Sequence, residues 1–151
     1  MENHKLQSFK IIGLKVRTTN EAGKSAEEIP KLWAKFFSEN TLESIPNKLD
    51  NTIVVMYTEY EKDFTKPYSA IIGCKVSSLS YVPLGMVGKE INENNYLKIE
   101  AEGNINKGLV FEEWKKIWAS NIQRKYIADF EIYDERCKDP ENAKVDIYIS
   151  I

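Results

Sequence analysis

At 151 residues the chain is long enough for one well-buried core and too short for two full domains, so a single domain over 1–151 is expected. A formal net charge of −2, with no basic block or stripe, argues against a surface that tracks phosphates, and direct nucleic-acid binding is not expected. One histidine (His4) and two distant cysteines (Cys74 and Cys137) leave almost no material for a metal cluster or a histidine-based triad.

Residues Met1 to Gln7 are polar and read as loose. Phe9 to Arg17 reads as a strand, with Gly13 marking a bulge or a close approach of another backbone. A polar loop leads to a helix from about Ala26, with Ser25 and Glu28 spaced as a capping box. Ile29, Leu32, Trp33, Phe36 and Phe37 then form a wide apolar stripe, which predicts one face buried on a sheet with Trp33 in the core. Thr52 to Tyr60 and Tyr68 to Val76 read as a hairpin, and Ser77 to Gly88 as a connector between two halves, roughly 8–80 and 89–151. The second half repeats the order: a strand over Tyr96 to Gly103, a helix carrying Val110, Phe111, Trp114, Ile117, Trp118 and Ile122, and strands over Tyr126 to Tyr133 and Lys144 to Ile151. The predicted fold class is therefore α+β, an antiparallel sheet built from two strand-helix-strand-strand modules, with Trp33, Phe36, Phe37 and Trp118 buried between helix and sheet.

The strand ending at Tyr133 carries the candidate chemistry. Alternation puts Phe130 and Ile132 on one face and Glu131 and Tyr133 on the other, so a single carboxylate stands beside an aromatic ring. In the last strand Val145, Ile147, Ile149 and Ile151 face one way, and Asp146, Tyr148 and Ser150 the other. If the aliphatic side packs on the helices, Tyr148 shares the helix-free face with Glu131 and Tyr133. Eight tyrosines, six phenylalanines and three tryptophans exceed what a minimal core needs, which fits a ligand pocket. No glycine-rich phosphate loop, serine nucleophile elbow or converging pair of acids is present. The N-terminus has no signal-peptide pattern and no stretch is long enough to span a membrane, so a cytoplasmic protein with reduced thiols is expected.

The segments Phe9 to Glu21, Ile29-Pro30-Lys31-Leu32-Trp33, Ile45-Pro46-Asn47-Lys48, Tyr57 to Asp63, Pro67 to Gly73, Trp114-Lys115-Lys116-Ile117-Trp118, Asp129 to Tyr133 and Val145 to Ile149, in this order, resemble the GyrI-like family. The family includes the effector-binding domains of AraC- and MerR-type regulators, and the resemblance is to its free-standing branch, of which integron cassette proteins are examples. It implies a pseudo-twofold domain with two long helices on one face of the sheet and a groove or pocket between the modules for amphipathic, often cationic, aromatic molecules. The family's acidic pocket residue falls on Glu131 in the motif Phe130-Glu131-Ile132-Tyr133. Tyr148 matches a tyrosine of the family's last strand, and Tyr57, Tyr60, Tyr68 and Trp114 match recurrent aromatic positions. Ser150 departs from the family's usual proline.

The expected ligand-binding set is thus Glu131, Tyr133, Tyr148, Tyr60, Tyr57, Tyr68 and Trp114, with no cofactor and no metal. The resemblance leaves two further readings open: a hydrolase of strained or electrophilic cytotoxic compounds with Glu131 as general base, and a protein-interaction module of the gyrase-inhibitor kind. Gyrase, a separate regulator or a second copy of the chain are the macromolecular partners in view.

Overall fold

Eight strands, the central ones built from runs of β-branched and aromatic residues, join one antiparallel sheet. The structure, a computed structural model, describes residues 2–151. The strands are β1 (Glu2–Leu6), β2 (Phe9–Thr18), β3 (Ile53–Thr58), β4 (Tyr68–Val76), β5 (Val87–Ile91), β6 (Asn94–Gly103), β7 (Ala128–Tyr133) and β8 (Ala143–Ser150). Helix α1 (Lys24–Ser38) and the single turn α2 (Thr41–Ser44) lie between β2 and β3, and α3 (Leu109–Trp118) lies between β6 and β7. The order across the sheet is β1-β6-β8-β7-β3-β4-β2-β5. The modules β2-α1-β3-β4 and β6-α3-β7-β8 are therefore related across the central β7/β3 pair, as the repeat in the sequence predicted.

The outermost strands correct two expectations. Glu2 to Leu6 are not loose, because they pair with Lys98 to Asn94 on β6, while Met1 lies outside the described residues. Likewise the end of the predicted connector runs into β5, which pairs with β2. Backbone N–H and C=O groups need partners whatever their side chains, so a polar segment with no hydrophobic alternation can still close a sheet edge. Each of these short strands precedes one module and closes the outer edge of the other.

Alternation gives the sheet two apolar faces. On one, Leu32 and Phe36 of α1 pack over Ile12, Leu14, Val55, Ile72 and Cys74, and Trp114 and Ile117 of α3 pack over Val145, Ile147 and Ile149. The opposite face carries no helix, yet Ile11, Val54, Met56, Ile71 and Phe130 are buried there. In a flat sheet Phe9 on β2 would lie three strands, roughly 14 Å, from Phe130 on β7. Their ring centroids are 5.3 Å apart, and the Tyr96 ring is also 5.3 Å from Phe130. The sheet thus curls until its helix-free face closes on itself.

Gly13 and Gly73 face each other across β2 and β4. A Cβ on Gly73 would fall 2.0 Å from the Ile12 carbonyl oxygen, and one on Gly13 would fall 2.1 Å from that of Ile72. Both obstacles are backbone atoms, so the strands must part to admit a methyl group. Gly73→Ala is expected to destabilise the fold by about 3 kcal/mol, read as a lower urea midpoint. An unchanged midpoint would show that this close approach is not needed.

The helices differ from the sequence reading at their ends. Gly23, at φ 69°, precedes α1, and Ser25 is already inside it. Instead of a capping box, the Ser25 hydroxyl donates to Asn20 Oδ1 (2.8 Å) and Glu28 accepts from the Thr18 hydroxyl (2.8 Å). Of the four aromatics expected in the core, Phe36 is fully buried and Trp33 and Trp118 are half-buried. Phe37 is 57% exposed, because the buried arc of α1 is narrower than its apolar stripe. The second helix ends at Trp118, four residues before Ile122.

Candidate functional site

The central strands β7 and β3 run beneath the gap between α1 and α3. Glu131 stands on this seam, paired with Val55 on one side and Ile147 on the other. Residues opposite one another in a sheet share a face, so Glu131 projects to the helix side with Ile147. There a cavity of about 390 Å³ opens between the two modules, lined from α1 by Ile29 and Trp33 and from α3 by Val110, Phe111, Trp114 and Trp118. Nine of its seventeen lining residues are aromatic, and Glu131 and Arg124 are its only charged ones.

Glu131 is 1% exposed. Its Oε2 accepts from the Tyr57 hydroxyl (2.7 Å) and from Trp114 Nε1 (2.6 Å), and its Oε1 accepts from the Tyr133 hydroxyl (2.6 Å). All three donors are neutral, and the one arginine of the cavity is engaged elsewhere. Burial raises the pKa of Glu131 above its ordinary value, and the bonds from Tyr133, Tyr57 and Trp114 offset only part of that rise. Burial, followed by the nearby Glu131 charge, pushes the hydroxyls of Tyr57 and Tyr133 well above the ordinary tyrosine value. They therefore remain donors at neutral pH.

A second buried acid lies two residues away and is arranged differently. Asp129 Oδ2 accepts from Arg124 Nη2 (2.7 Å) and from the Tyr60 hydroxyl (2.6 Å), and Oδ1 accepts from the Ser150 backbone N–H (2.8 Å) and its hydroxyl (3.3 Å). The Arg124 guanidinium also lies 4.3 Å from the Tyr126 ring, 5.7 Å from Trp114 and 5.9 Å from Phe64. Asp129 thus has a built-in cation within an aromatic cage, whereas Glu131 has the cage without the cation.

Of the seven residues expected at the site, Glu131, Tyr133, Tyr57, Tyr60, Tyr68 and Trp114 line this cavity. Tyr68 donates to Asn20 Oδ1 (2.6 Å), which ties the strand to the loop before α1. Tyr148 does not join them. It pairs with Phe130 across β7 and β8 and stacks on that ring at 4.9 Å, on the opposite face. The alternation within each strand was read correctly, but Glu131 belongs to the helix face and not to the helix-free one. Trp33, assigned to the core, is a wall of the cavity and touches the Tyr133 ring edge-on at 5.1 Å. Phe64 and Arg124, which the sequence did not single out, also line it. Phe64 sits in a turn, and Arg124 in a stretch without periodicity, where arginine ordinarily reads as surface.

The family described as Cass2, integron-associated effector binding protein, matches residues 4–151. The chain belongs to this family. Among solved structures, an integron cassette protein from the mobile metagenome of Vibrio cholerae is 28% identical, with a TM-score of 0.73 over 99% of this chain and 94% of that one. The protein SAV2435, solved bound to tetraphenylphosphonium, shares the fold at 17% identity, with a TM-score of 0.78 over 99% of this chain and 92% of that one. The candidate transcriptional regulator protein YobU of Bacillus subtilis strain 168 is 26% identical, over 92% of this chain and 89% of its own length. These matches agree with the GyrI-like resemblance read from the sequence. No helix among the described residues is long and apolar enough to cross a membrane.

Proposed function

We propose that this effector-binding protein takes up amphipathic aromatic cations in the cavity between α1 and α3, with Glu131 as counter-ion and Tyr57, Tyr60, Tyr68, Trp114 and Tyr133 among the cavity walls. One observation carries the reading: Glu131 is a buried carboxylate in an aromatic cavity, held by three neutral donors and paired with no cation. An unpaired buried charge is costly, and an entering cation offsets the cost. The surrounding rings add cation–π attraction of about 0.5–2 kcal/mol each without requiring one ligand shape. A cavity of about 390 Å³ is of the size that small-molecule sites have. The fold relative bound to tetraphenylphosphonium supports the choice of ligand class.

Tetraphenylphosphonium and tetraphenylborate have the same shape and opposite charge, and so separate charge recognition from apolar contact. Calorimetric titration is expected to show binding of the cation and none of the anion. Equal affinities would mean that apolar contact alone governs the cavity, and Glu131 would lose its assigned part.

A further inference from the structure

The cavity holds a second polar group whose hydrogen bonds are incomplete. Arg124 lines the same space as Glu131, and its side chain is only 4% exposed. Nη2 is bound to Asp129, but Nε and Nη1 are buried with no partner. Asp129 cannot take them, since its two oxygens already accept from Tyr60, from the Ser150 backbone and hydroxyl, and from Arg124 itself. The rings of Tyr126, Trp114 and Phe64 surround the guanidinium, and a ring face is a much weaker acceptor than an oxygen. Buried charged donors without partners are uncommon, because each forfeits the hydration it had in water.

Trp114 connects the two polar groups. Its indole N–H reaches Glu131, and its ring lies beside the Arg124 guanidinium. The acid without a cation and the donors without an acceptor therefore both neighbour the Trp114 indole in the same aromatic cavity. Phe64 rides on the turn between β3 and β4, stacked on Trp118, and its ring is the cavity wall that flanks the guanidinium at 5.9 Å.

We propose that the ligand is bipolar: an aromatic molecule with a cationic centre for Glu131 and an oxygen acceptor (carbonyl or carboxylate) for Nε and Nη1 of Arg124, the two subsites joined by the Trp114 indole. This rests on the cation reading for its first half and on Arg124 for its second. It narrows the ligand class from any flat lipophilic cation to cations that also carry an acceptor.

Tetraethylrosamine and rhodamine B share one xanthylium cation and one phenyl ring and differ by the carboxylate. Fluorescence titration of the wild-type protein is expected to favour rhodamine B by about tenfold, the worth of one charge-assisted hydrogen bond. In the double variant Arg124→Met/Asp129→Asn, which removes the ion pair without stranding either charge, the preference is expected to disappear, so that the ratio of the two affinities falls to about one. Arg124→Lys keeps the charge but loses the fork, and should retain only part of the preference. Thermal unfolding of both variants confirms that they are folded. Equal affinities for the two dyes in wild type, or the same preference in the double variant, would overturn the inference. Should neither dye bind, the cation reading fails and the Arg124 reading is decided by 1-anilinonaphthalene-8-sulfonate, an aromatic anion. Binding to wild type and Glu131→Gln but not to the double variant supports a guanidinium subsite, and binding indifferent to Arg124, or none at all, refutes it.

Discussion

Glu131→Gln is expected to weaken tetraphenylphosphonium or a rhodamine by about ten- to a hundredfold, and a neutral analogue hardly at all. At an effective dielectric of about 20, attraction between contacting unit charges is roughly 4 kcal/mol. Desolvation removes much of this, leaving about 1 to 3 kcal/mol. Shape is preserved in the variant, because the amide oxygen can still accept from Tyr57 and Trp114 while the amide N–H donates to the Tyr133 hydroxyl, which can accept as well as donate. The pH dependence follows from the raised pKa of Glu131. Cation affinity falls as pH drops through that raised value, beginning at a less acid pH than an exposed glutamate would give. Stability moves the other way: the folded protein holds this proton to a higher pH than the unfolded chain does. Wild type therefore loses stability as pH rises from the ordinary glutamate value through the raised one. A neutral amide carries no such penalty, so the Glu131→Gln variant should unfold at a higher temperature than wild type at neutral pH while binding the cation less well. Equal losses for cation and neutral analogue would mean that Glu131 shapes the cavity without selecting charge.

Asp129→Ala is expected to cost about 3–5 kcal/mol of folding stability, because it strands the Arg124 guanidinium among aromatic rings. For a chain of this size that corresponds to a fall of about 10 °C in Tm. Arg124→Met/Asp129→Asn should recover most of the loss, since neither charge is then left alone. A fall of only a degree or two in the single variant would show that water reaches the pair.

The two modules, their helices and most of their strands were legible because each rests on a local period, 3.6 along Leu32 and Phe36 and 2 along Phe130 to Tyr133. The carboxylate at Glu131 and the tyrosines around it followed from the same periods together with the resemblance. Glu131 and Tyr133, and not Tyr148, were assigned to the wrong face, for a reason local pattern cannot supply. Which residue of β8 lies opposite Glu131 depends on register, and a shift of one position exchanges Ile147 for Tyr148. The first strand was missed because its side chains carry no alternation and only its backbone is used. Arg124 was missed because its partner, its aromatic cage and its burial all come from tertiary packing around an aperiodic segment.

The exchange of edge strands between the modules also bears on how the chain is made. Glu2 is synthesised long before its partner Lys98. At ordinary elongation rates β1 waits on the order of 5–20 s before its pairing strand exists. The outer edge of β2 is likewise open until Val87–Ile91 have been synthesised. The first module alone would therefore present an unpaired apolar-flanked edge, the surface through which nascent chains associate with one another. Neither half is finished until the other has been made, so the fold closes late and nearly all at once, and its slow step is long-range strand pairing at the two rims of the sheet.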